Sequence, residues 1–82
     1  MNMENKEQLI AYLKGEILET SKMILSNDAW ERTYKSISLI GIDKGKTDAK
    51  VQEYKNANML NQKKIEKLRE LVAEIEKDKL VI

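Results

Sequence analysis

Glu66, Glu70 and Glu74 recur every four residues, a spacing that lines them along one face of a helix. Carboxylates in that pattern can share a proton or hold a divalent cation. A carboxylate metal site in a helical bundle draws ligands from several helices and commonly includes His, and this 82-residue chain has none. Lys63, Lys67 and Arg69 stand among the three glutamates as ion-pair partners, so the row reads as a solvated helix face. With no Cys either, thiolate catalysis, disulfides and thiolate zinc sites are excluded, and the usual general base is missing. The expectation is a protein that is not an enzyme, with no cofactor, no metal and no small-molecule substrate.

The loop Gly41-Ile42-Asp43-Lys44-Gly45-Lys46-Thr47 is the second place where residue types and spacing invite chemistry. A phosphate-cradling loop reads G-x-x-x-x-G-K-[ST]. Here the interval between Gly41 and Gly45 is one residue short, which puts the backbone amides out of register with the phosphates. Gly41-Ile42-Asp43-Lys44-Gly45 also resembles the turn of a helix-turn-helix as found in the tetracycline-repressor family, although Asp48 and Ala49 stand where that family carries aromatic or apolar residues. Lys44, Lys46 and Lys50 gather at the start of the helix that follows, where the macrodipole is already positive. Residues 50–69 carry six basic and two acidic side chains, whereas 70–82 carry two and four. That gradient suits a docked phosphate, and Lys44, Lys46, Thr47 and Lys50 form the candidate nucleic-acid contact of an alternative reading.

Trp30 and Tyr34 lie one helical turn apart. Such a pair can be a stacking platform or an interface hot spot, and more commonly it is core. The chain ends Lys79-Leu80-Val81-Ile82, an apolar triplet that either docks on a partner or continues a helical stripe.

These residues must be positioned by helices. The chain has 35% charged residues, 5% aromatics, no Phe and no Pro, a balance that favours long helices with aliphatic faces over sheets. Net charge is +1, with seven basic and seven acidic residues in 1–46 and eight and seven in 47–82, so there is no charged tail. No signal peptide pattern and no apolar run of membrane-spanning length occurs, which predicts a cytoplasmic protein with no membrane partner. Small, Lys- and Asn-rich, cysteine-free chains of this kind are similar in composition to many phage and mobile-element proteins.

Three helices are expected in one domain, 1–82. Residues 4–25 form the first, on the heptad Met3, Ile10, Ile17, Ile24. Ser26-Asn27-Asp28 reads as a stop and restart, with Asp28 and Glu31 as a capping box for a short second helix over 29–40. After the loop 41–47, capped by Thr47, a long coiled-coil-like third helix runs over 48–78. Its seam is Val51, Tyr54, Asn58, Asn61, Ile65, Leu68, Val72 and Ile75, on alternating spacings of three and four, with a break at 56–58 as an alternative.

A helix of that length spans about 46 Å. A compact domain of this size has a radius of gyration of about 12 Å, so the helix overhangs and its seam needs cover. The cover is the first helix, a second copy or a protein partner. A parallel self-pair would set Lys50 against Lys55 and Lys64 against Arg69, so an antiparallel arrangement is favoured. The expected function is that of a small helical interaction protein, an adaptor, assembly factor or inhibitor. Its expected contact residues are Asn58, Asn61, Ile65, Leu68, Val72 and Ile75.

Overall fold

A computed structural model describes residues 3–77, with side-chain burial described from residue 5 onward. Among these residues the chain is all-helical. Two long helices, α1 (Met3–Ile40) and α2 (Lys44–Glu76), fold back on each other as an antiparallel hairpin with extents of 58 × 15 × 13 Å. The apolar triplet at the C-terminus lies outside the described residues.

There are two helices where the sequence suggested three. No stop occurs at Ser26-Asn27-Asp28, and α1 runs through it. The capping reading assumes that Asn27 and Asp28 turn their side chains back onto the local backbone. Both reach across to α2 instead: the Asn27 amide donates to Asn58 Oδ1 at 3.0 Å, and the Asp28 carboxylate accepts from Asn58 Nδ2 at 2.8 Å. With no Pro present and no local competitor for the backbone, nothing interrupts the helix. The hydroxyls of Thr20, Ser21, Thr33 and Ser36 are likewise absorbed, each donating to the carbonyl four residues earlier.

Both helices carry a heptad seam. In α2 the buried residues Thr47, Asn58, Ile65, Val72 and Ile75 alternate with half-buried Val51, Tyr54, Asn61 and Leu68. In α1 the matching line runs through Ile10, Leu13, Ile17, Thr20, Ile24, Asn27, Glu31, Tyr34 and Ser38. At the open end of the hairpin Leu13, Val72 and Ile75 pack with Leu9, Ile10, Ile17 and Leu68. Towards the middle the seam turns polar around Asn58, and α2 stays continuous through 56–61 because Asn58 finds partners on α1.

The connection is shorter than the expected 41–47. Only 41–43 lie between the helices. Gly41, at φ 89°, closes α1 with its N–H on the Ser38 carbonyl at 3.0 Å, a left-handed position that suits Gly. Asp43 precedes α2 at φ 43° and makes no side-chain cap bond. Thr47 is therefore not the cap. It is buried in the first turn, and its hydroxyl donates to the Asp43 and Lys44 carbonyls. The Ser38 hydroxyl donates to the Asp48 carboxylate, tying the end of α1 to the start of α2.

Candidate functional site

The seam residues named as a partner contact are covered from within. Ile65, Val72, Ile75 and Asn58 are buried, Asn61 and Leu68 are half-buried, and α1 lies over all six. A partner that meets the folded hairpin meets its flanks.

Those flanks are defined by two ion pairs. Lys14, one residue after seam Leu13, sits 3.9 Å from Glu76; Glu16, one residue before seam Ile17, sits 3.7 Å from Lys64. They mark opposite sides of the hairpin.

The Glu16 side is rich in large apolar groups. Met23 and Trp30 follow Glu16 at heptad spacing, and Tyr12, Leu60 and Leu71 occupy neighbouring positions by helical periodicity. Trp30 is 50% exposed, Met23 53% and Leu60 68%. Trp30 is thus not the core residue that its type commonly makes it. Its ring lies 6.1 Å from Tyr34, which stacks at 6.0 Å on Tyr54 of α2. The ladder of rings holds the indole against the hairpin while leaving one side open. An aromatic fixed in this way loses little further side-chain entropy on binding, which is why Trp and Tyr dominate interface hot spots.

On the Lys14 side three shallow hollows join end to end. The first is lined by Lys14, Ile17, Val72 and Glu76 among others, the second by Ser21, Ile24, Gln62 and Ile65, and the third by Asp28, Glu31 and Arg32. Arg69 is shared by the first two and Leu25 by the last two, so they make one groove. Leu25 is exposed there, and Leu18, one heptad earlier on α1, is exposed as well.

The basic residues at the turn are less free than their types imply. Lys44 and Lys46 are exposed, but Thr47 is buried and Lys50 lies 3.3 Å from Glu53. The hydrogen bond to Glu53 and its negative charge hold the Lys50 ammonium above the ordinary lysine value. Of Glu66, Glu70 and Glu74, Glu70 is engaged by Lys67 at 3.5 Å, and no group of carboxylates among the described residues is placed to hold a metal ion. No helix among the described residues is long and apolar enough to cross a membrane.

No protein-family model, curated protein or solved structure matches this chain. The exposed flanks escaped sequence reading because a helix carrying apolar residues on several sides gives one broad stripe. The heptad Ala11, Leu18, Leu25 beside the seam heptad Ile10, Ile17, Ile24 was the available signal.

Proposed function

We propose that the chain is a non-enzymatic helical interaction protein, an adaptor, assembly factor or inhibitor, that recognises a protein surface through the flank centred on Trp30. One observation carries this reading. Among the described residues eleven large hydrophobic side chains are exposed and only four apolar side chains are buried. Nine more large apolar side chains are half-buried along and beside the seam, and the exposed ones that gather around Trp30 form the kind of contiguous apolar flank that a partner covers. The Trp30 flank suits a helix of a partner: it is elongated, aliphatic around a fixed aromatic, and rimmed by the charges of Glu16 and Lys64.

The test is capture from native lysate by the wild-type chain and by a Trp30→Asp, Met23→Asp double variant, identified by cross-linking and mass spectrometry. A protein retained by the wild type and lost by the variant, with the helical circular dichroism of both unchanged, supports the reading. Equal capture by both overturns it. Anisotropy of labelled duplex DNA between about 50 and 200 mM salt tests the nucleic-acid alternative in the same preparation. Binding that collapses with salt, and that Lys44→Ala plus Lys46→Ala abolishes, would replace the present reading.

A further inference from the structure

We propose that the groove on the Lys14 side is the docking surface for a second copy of this chain, two hairpins stacking face to face with their α1 helices antiparallel. The inference rests on the same view of the hairpin as an association module, but it uses the opposite flank and a different observation.

The first argument is area. The chain exposes 6216 Å². A compact monomer of 9.5 kDa exposes about 5,000 Å². The surplus of roughly a thousand Å² exceeds the roughly 800 Å² that each partner contributes to a standard interface. A single layer of two helices has no second layer to cover its faces, and four helices in two layers supply one.

The second argument selects the face and the occupant. Glu7, Lys14, Ser21, Asp28 and Lys35 occupy one heptad position of α1, seven residues apart, beside the groove. Read from either end about Ser21, the charges are complementary: acidic, basic, neutral, acidic, basic. A two-fold axis at Ser21 sets Lys14 opposite the second copy's Asp28 and Glu7 opposite its Lys35. It also brings Leu18 within one residue's rise of the second copy's Leu25, close enough for the two exposed side chains to meet. A two-fold contact is isologous, so a stripe must complement its own reversal, and this α1 stripe does, while Arg69 of α2, which shares a hollow with Ser21, comes towards its own copy near the axis. The Trp30 flank does not. Its heptad Leu9, Glu16, Met23, Trp30, Ile37, reversed about Met23, places Glu16 on Trp30.

Three measurements decide. In sedimentation equilibrium the wild type is expected at twice 9.5 kDa. A monomer at the highest attainable concentration overturns the proposal. Leu18→Asp with Leu25→Asp is expected to give a monomer. Since that variant also fails if the hairpin needs its mate to fold, two further probes are used. Glu7→Lys and Lys35→Glu each place like charges across the axis, and each alone is expected to weaken dimerisation several-fold. Mixed, the two variants restore both pairs and should form heterodimers in preference to either homodimer. Random mixing overturns the register. The chain has no native Cys, so Ser21→Cys alone should give an intermolecular disulfide under mild oxidation, and Ser26→Cys, on the Trp30 side, should not. The reverse pattern would move the self-contact to the Trp30 flank and overturn the groove assignment. None of these outcomes depends on whether the Trp30 flank captures a foreign protein.

Discussion

The side-chain amide of Asn27 donates to Asn58 Oδ1 at 3.0 Å, joining the middle of α1 to the middle of α2 across 31 residues of chain. Asn58 is used to capacity. Its Nδ2 donates to the Ile24 carbonyl at 3.2 Å and to Asp28 at 2.8 Å, and its Oδ1 also takes a long bond from Asn61 at 3.5 Å. A buried polar residue with four partners fixes which layer of one helix faces which layer of the other, because any slip strands the whole network.

Asn58→Ala should therefore be costly for a polar-to-small change. It leaves Asn27 and Asp28 short of partners at a partly buried level. The expected loss is about 2 kcal/mol, which for a domain of this size lowers Tm by roughly 10 °C. Thermal denaturation followed by circular dichroism reads it. A change below about 0.5 kcal/mol would mean that water replaces the amide and that the layer sets no register.

The two glycines at unlike places should respond with opposite sign. Nothing lies within 4 Å of a Cβ built at Gly15, so Gly15→Ala removes only the backbone freedom of a mid-helix glycine and should stabilise by about 0.5–1 kcal/mol. Gly41 at φ 89° has equal space but the wrong backbone, and Gly41→Ala should destabilise by about 1 kcal/mol or more. Urea denaturation of both variants at one protein concentration makes the comparison. Equal signs would contradict the assigned turn.

The same features explain what could be read from the residues alone. The α2 seam was legible because apolar residues at spacings of three and four, above all Ile65, Leu68, Val72 and Ile75, mark one helical face. The turn near Gly41 was legible for the same local reason. The continuity of α1 was not, because Asn27 and Asp28 carry a strong local capping signal that is overridden by partners some thirty residues away, a long-range fact invisible in a short window. Of the three covers expected for the α2 seam, the first helix is the one present. With α1 over the seam, the apolar groups left exposed include Trp30, Met23 and Leu60, whose types alone suggest core.

Core and flank should separate cleanly under truncation. Ile75 is 3% exposed within the apolar cluster with Leu13 and Val72, and Ile75→Ala should cost about 2–4 kcal/mol. Leu60 is 68% exposed, and Leu60→Ala should change the stability of the isolated hairpin by less than about 0.5 kcal/mol while weakening partner capture. Chemical denaturation and the capture assay together give the two readouts. A large stability loss at Leu60 would mean that this side chain already belongs to a buried interface in the free protein.

Lys50 offers a prediction tied to pH. Glu53 raises its ammonium above the ordinary value of 10.5, first through the hydrogen bond and then through its charge. A raised lysine contributes stability in full below its unfolded value and loses it as pH climbs through the folded one. Wild type and Glu53→Gln should thus differ in urea denaturation at neutral pH and converge in strong alkali, and titration of the Lys50 side-chain resonance should fall back towards 10.5 in the variant. The same substitution bears on the alternative reading of the turn. Releasing Lys50 from Glu53 adds a free cation beside Lys44 and Lys46, so if that cluster contacts phosphate, Glu53→Gln must tighten DNA binding and steepen its salt dependence. If Glu53→Gln leaves DNA affinity untouched while moving the lysine titration, the turn lysines serve only the solvated end of the hairpin.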